Sequence, residues 1–270
     1  MFNRIDTIML STLIVLTLSS GWVQIHRQIP QSDTPLQVVV EEVVEVVVPD
    51  FNTHVDVREK KAAFFQFMTP LIERENERIL ATRERVVLLS VKSKLNEDEQ
   101  RWLLDIADHY RMKNVKNTDP AFFEELLSRV DLIPLSLALV QSANESAWGT
   151  SRFARQGNNF FGQWCFDPGC GIVPGSRPAG ERYEVRKFDD VTDSVRSYMR
   201  NLNSHFKYDG MRELRQKRRQ NNEAITGPIL AQGLYSYSIR GIDYVEELVS
   251  MIASNDLLRY DLKMGTNPES

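Results

Sequence analysis

Between Pro134 and Gly149 the chain reads Leu-Ser-Leu-Ala-Leu-Val-Gln-Ser-Ala-Asn-Glu-Ser-Ala-Trp, and few architectures accept such a segment. Proline opens a helix and glycine occupies its usual stop position. The helix so bounded is apolar on most sides and has to be buried among neighbours. Gln141, Glu145 and Trp148 fall at i, i+4 and i+7, on one face. A carboxylate on such a helix is costly unless it is paired or faces a cavity. Glu145 also sits in the last turn, where the negative end of the helix dipole opposes its charge. Burial and dipole both push its pKa up, as a general acid for glycosidic cleavage requires. The structural alternative is a buried ion pair with Arg152 or Arg155.

The rest of the chain supplies covering elements of mainly helical type. Phe64, Phe67, Met68, Leu71, Ile72, Glu75 and Ile79 recur at helical spacing, with a kink or break expected at Pro70. A second helical run covers 97–111, with Trp102, Leu103, Ile106, Ala107 and Tyr110 as one apolar stripe. Asp119 and Pro120 form a cap and first turn for a helix to Val130. Glycines and prolines crowd into 157–188, and 182–188 reads as a short strand, so a small hairpin lobe interrupts the helices. Asp189 or Asp190 caps a following helix, and a final one covers 243–258. The basic run from Arg212 to Arg219 reads as a solvated helix face, with contact to acidic wall peptides or headgroups as the sharper alternative. The fold class is α+β, mainly α, with a groove between lobes.

Residues 1–30 read as a signal peptide or membrane anchor: Arg4 flanks an apolar run from Ile8, with small residues at Ser19-Ser20-Gly21. Residues 31–54, with Pro30 at their border, Pro35 and Pro49, read as a linker. Export fits the two cysteines. Cys165 and Cys170 flank Phe-Asp-Pro-Gly, a turn-forming spacer, and an oxidising compartment favours a local disulfide. A zinc site needs further ligands, and no second Cys pair or nearby His stands beside them. His54, His109 and His205 show no metal spacing, and there is no phosphate-binding glycine loop, so no cofactor and no metal are expected. The net charge of −4 does not suit a nucleic-acid binder.

Ala143-Asn-Glu-Ser-Ala-Trp-Gly-Thr-Ser-Arg-Phe-Ala154, followed by Asn158-Asn-Phe-Phe-Gly-Gln-Trp164, resembles the glucosaminidase domain of glycoside hydrolase family 73, the mannosyl-glycoprotein endo-beta-N-acetylglucosaminidase type. Phe188 to Leu202 is similar to the family's helix after the hairpin, and Ala231 to Ser238 with Tyr244 and Leu248 to Ile252 is similar to its closing element. The helical extension and the Trp-Cys-Phe-Asp-Pro-Gly-Cys insertion resemble Bax-type bacterial envelope proteins.

The resemblance implies a lysozyme-like domain over 129–260, preceded by a helical extension over 55–128 and followed by a tail over 261–270. It implies hydrolysis of peptidoglycan glycan strands at the bond after N-acetylglucosamine, in the periplasm, with the inner membrane as a contact if the N-terminal segment is uncleaved. Glu145 falls on the family's catalytic glutamate and Asn159, Phe160, Phe161 and Gly162 on its substrate-side motif. Trp164 follows that motif, and a substrate-side tyrosine falls on Tyr237 or Tyr235. The sequence departs from the pattern at the second acid. The expected strand, Gly171-Ile-Val-Pro174, has none, and Glu181 and Glu184 are the nearest candidates, with Asp167 behind them. Spacing of two carboxylates sets the stereochemistry, so inverting attack by water and assistance by the substrate's acetamido group both stay open. A lytic transglycosylase of the same fold and a non-catalytic wall-binding protein are the alternatives. From its position, the N-terminal extension is a candidate restraint on activity.

Overall fold

The computed structural model describes residues 46–265 apart from 114 and 116. The expected export segment and most of the linker lie outside these residues. No helix among the described residues is long and apolar enough to cross a membrane.

A 3-10 turn at Phe51–Thr53 leads into α1 (Val57–Ser90), whose cap Asp56 accepts from the backbone N–H groups of Arg58 and Glu59. The break expected at Pro70 does not occur, and α1 runs through it. An internal proline costs a helix about 3 kcal/mol. Phe64, Met68 and Ile72, all fully buried on one stripe, offset it by anchoring both halves of α1 to the same core. α2 (Glu97–His109) opens with a reciprocal cap between Asn96 and Glu99, and α3 (Pro120–Arg129) is capped by Asp119 as expected.

α4 (Leu135–Ser146) is the buried helix, with every residue from Leu135 to Ala143 inside. α1 packs along one side of it, and other helices close the rest: α8 (Gly227–Ala231), α9 (Ile242–Ser254) and α10 (Leu258–Gly265). The chain does not trail off after residue 260. Asp261 is buried in α10, where its carboxylate accepts from the Ser136 N–H, the Ser136 hydroxyl and the Gly227 N–H.

The β lobe is small. After α5 (Arg152–Gly157), β1 (Trp164–Cys165) and β2 (Gly171–Ile172) flank β3 (Glu184–Arg186), both antiparallel to it. Cys165 and Cys170 are joined by a disulfide, so the two sulfurs beside Glu184 hold each other rather than a metal. α6 (Val191–Ser204), capped by Asp190, returns from the lobe to the helical body and is followed by α7 (Asp209–Gln220).

α7 corrects the reading of the basic run as a solvated face. Arg212 and Arg215 are buried. Arg215 donates to the carbonyls of Ser128, Asp131 and Leu132 and to Asn203 Oδ1, while Arg219 forms a two-point pair with Asp131 at 2.5 Å. Helical periodicity places four arginines but does not say that the end of α3 leaves bare carbonyls for them to satisfy. One hydrophobic core runs from Phe51 to Leu257, so the N-terminal helices and the domain behind the motif share a single interior.

Candidate active site

Glu145 lies on the last turn of α4 and is half-buried. The helix ends at Ser146, one residue later. Ala147, Trp148 and Gly149 then take successive left-handed conformations, with φ of 51°, 59° and 75°. Such backbone costs a non-glycine residue about 1–2 kcal/mol, and it is held by hydrogen bonds to the helix end. Trp148 N–H donates to the Ala143 carbonyl at 2.8 Å, and Gly149 N–H to Ser146 Oγ at 2.8 Å. This turn removes Trp148 from the face that periodicity gave it. Its ring packs edge-on against Phe64 and Phe65 of α1, with Lys61 Nζ 4.8 Å above it.

Neither expected arginine reaches Glu145. Arg152 donates to the Val173 carbonyl, and among the described residues no lysine or arginine lies within 4.0 Å of the Glu145 carboxylate. Its partner is Tyr244 of α9, whose hydroxyl donates to Glu145 Oε1 at 3.0 Å. Behind Tyr244 the bonds continue in one direction. Gln141 Nε2 donates to the Tyr244 hydroxyl at 3.0 Å, and the Tyr198 hydroxyl donates to Gln141 Oε1 at 2.5 Å. Each donor's proton is fixed by the next acceptor, so Oε1 can only accept. Any proton that Glu145 carries is therefore left to Oε2.

Oε2 faces the loop leading into the β lobe. Gly162, at φ 63°, brings its backbone so close that a Cβ there would stand 2.9 Å from Oε2. Only glycine combines that conformation with that approach. Burial raises the pKa of Glu145, the Tyr244 hydrogen bond partly opposes this, and the nearby charge of Glu247 adds to the rise. Glu247 stands one turn beyond Tyr244 on α9 and is itself held by Arg240 at 2.6 Å.

The motif residues divide into supports and exposed groups. Asn159 is buried. Its amide donates to the Gln163 and Arg186 carbonyls and its Oδ1 accepts from Phe161 and Gln163, so it shapes the loop that carries Gly162. Phe160 points backwards, its ring 6.2 Å from Phe64 and 6.1 Å from Phe67. Phe161 is buried too and stacks on Tyr198 at 3.9 Å, while its carbonyl accepts from the Tyr237 hydroxyl. Tyr237 stacks parallel to Tyr244, ring centroids 5.4 Å apart. Trp164 and Tyr235 are the exposed aromatics: Trp164 stacks on Tyr183 at 4.4 Å, and Tyr235 covers Gly241.

The two acids in the hairpin also differ. Glu184 is buried opposite Cys165, and its two oxygens accept from the N–H groups of Gly169 and Gly171, which hold its pKa below the usual carboxylate range. That pins the disulfide loop to β3. Glu181 is exposed on the connection between β2 and β3. Sequence reasoning named Gln141 for its face and Tyr244 for its likeness to the family's closing element, yet missed that they and Tyr198 form one chain ending on Glu145. Glu247 was missed altogether. The only available signal was its spacing of three from Tyr244.

The sequence matches the model of a family described as mannosyl-glycoprotein endo-beta-N-acetylglucosaminidase over residues 120–257, starting at α3 rather than at 129. It is also 32% identical over 210 residues to protein bax of Escherichia coli (strain K12), which spans 78% of this chain and 75% of that one. No solved structure matches this chain. With the motif glutamate, its tyrosine and the glycine beneath it in one place, and with these two matches covering most of the folded part, the chain belongs to the glucosaminidase family.

Proposed function

We propose that this protein is a cell-envelope glycosidase that cuts the glycan strands of peptidoglycan after N-acetylglucosamine, with Glu145 as general acid. The observation that carries the reading is the asymmetry of the Glu145 carboxyl. Oε1 is held by Tyr244, burial favours the protonated form, and the remaining proton position, on Oε2, faces Gly162 and the β lobe. As the C1–O bond breaks, that proton passes to the leaving oxygen. The hydroxyl of a water then adds to C1 and its other proton goes to a base.

Glu181 is the proposed base: its exposed carboxylate, like that of Asp167, has no hydrogen bond or ion pair among the described residues, whereas Glu184 anchors the loop. The substrate's 2-acetamido oxygen is the alternative partner, and the anomeric configuration of the first product separates the two. Trp164, Tyr235 and Tyr237 are proposed to line the sugar path. The export reading of residues 1–30 places the activity in the periplasm. The commitment of Glu184 to backbone favours one second reading, a lytic transglycosylase working with Glu145 alone.

Purified peptidoglycan digested by the full chain, beside Glu145→Gln, with products identified by mass, tests the proposal. New reducing N-acetylglucosamine ends from wild type alone support it. Anhydro ends select the transglycosylase. Binding without cutting by either protein leaves a wall-binding protein.

A further inference from the structure

One cavity outside the Glu145 site is strongly cationic. It measures about 350 Å³ and lies between the end of α2, the chain just after β3 and the outer face of α6. Arg186, Lys187, Arg196 and Arg200 line it, against Asp189 and Asp193. Asp193 is committed to Arg196 at 2.9 Å. Arg200 Nε is fixed on the His109 carbonyl at 2.7 Å, which leaves the outer nitrogens of its guanidinium without a carboxylate. Among the described residues, no carboxylate lies within 4.0 Å of Arg186, Lys187 or Arg200. Burial first, and then the charges of Arg200, Arg78 and Arg196, hold His109 down to about 4. At neutral pH His109 therefore adds no charge.

The cavity also connects to the acid. Gly162 lies against Glu145, and the next residue, Gln163, donates to Ser197 Oγ at 3.1 Å on the cavity wall. The Gln163 carbonyl accepts from Arg186 N–H at 2.8 Å. Gln163 thus ties the loop that lies against Glu145 to the wall of this cavity.

We propose that this cavity is an anion subsite that takes the carboxylates of the acidic stem peptides borne by alternate sugars of the same glycan strand. The inference rests on the peptidoglycan reading. Arg186 and Lys187 are exposed and have no carboxylate partner among the described residues, so they can form charge-assisted hydrogen bonds to a ligand's carboxylates and discriminate by charge. The subsite makes the protein selective for peptide-bearing over peptide-stripped strands.

The test uses the full chain and the double variant Arg186→Gln/Lys187→Gln, both exposed positions, with thermal melts to show that the fold is unchanged. On peptide-bearing strands the variant is expected to raise KM about tenfold at unchanged kcat, and on amidase-stripped strands to change neither. Binding of the free tetrapeptide stem, followed by NMR, is expected to weaken about tenfold in the variant and with added salt, and to fail when the peptide carboxyls are amidated. Equal KM for both proteins on peptide-bearing strands overturns the inference. So does equal binding of the amidated peptide, or displacement of the stem peptide by equimolar inorganic phosphate. Failure of the wild type to cut either strand while it still binds the peptide overturns the hydrolase reading alone; cutting without peptide selectivity overturns the subsite alone.

Discussion

The Tyr244 hydroxyl and Glu145 Oε1 lie 3.0 Å apart, and this one bond decides which carboxyl oxygen carries the proton. Tyr244→Phe removes it while keeping the ring stacked on Tyr237. A hydrogen bond to a charged group contributes about 1.5–3 kcal/mol, so kcat is expected to fall about tenfold to a hundredfold. The bond lowers the Glu145 pKa. Without it the alkaline limb of the pH–rate profile should move to higher pH. A lower rate with no upward movement of that limb would show that Tyr244 does not act on the acid.

Glu247 supplies the opposite displacement. Its negative charge raises the Glu145 pKa, and Arg240 holds it at 2.6 Å. Glu247→Gln should therefore move the alkaline limb down, and Arg240→Gln, which leaves that charge unscreened, should move it up. Profiles that shift in the same direction in both variants would remove Glu247 from the site's electrostatics.

Burial raises Glu145 in the folded state above its unfolded value. The folded protein thus binds more protons than the unfolded chain between the two pKa values, and stability falls as pH rises through that window. Above it, the ionised carboxylate is a constant cost that glutamine does not carry. Glu145→Gln is expected to melt above wild type at pH 7.5, by about 2–4 °C for each kcal/mol removed. The difference should vanish as the pH approaches the ordinary glutamate value near ~4.3. Paired thermal melts at the two pH values read this directly, and equal melting temperatures at pH 7.5 would mean that the acid is not held at a cost.

Glu145 stands out in the sequence because a lone carboxylate on a buried helix is a local anomaly. The cap Asp119, a cap at Asp189 or Asp190 that the structure gives to Asp190, and the pairing of Cys165 with Cys170 were legible too, since each depends on neighbours within a few residues. The rest depends on contacts far apart in the chain. Tyr244 is 99 residues from Glu145 and Tyr198 is 57 from Gln141, and no periodicity announces such meetings. Trp148 left its helical face because α4 stops at Ser146 and turns left-handed, which a spacing argument that assumes continued helix cannot foresee. The basic run was misread for a similar reason. Arg212 and Arg215 have buried partners on other elements, among them the Leu202 carbonyl and Asn203.

The N-terminal extension gives the last prediction. Its place before the motif suggests a restraint whose removal frees activity. The packing favours another role. Phe51 closes against Gly149, where a Cβ would stand 2.3 Å from the Phe51 ring, and Phe64 and Phe65 grip Trp148. These contacts hold the left-handed turn that begins two residues after Glu145. Phe64 also lies beside Phe160, behind the loop that presents Gly162. Deleting 55–112 strips one wall from the shared core, and the expected result is loss of cooperative unfolding together with loss of activity. Phe64→Ala is the milder form: truncating a fully buried phenylalanine costs about 3–5 kcal/mol, so the variant should melt far lower and, below its melting temperature, cut more slowly than wild type. A shortened chain that melts cooperatively and digests peptidoglycan faster than the full one would restore the restraint and dismiss the scaffold.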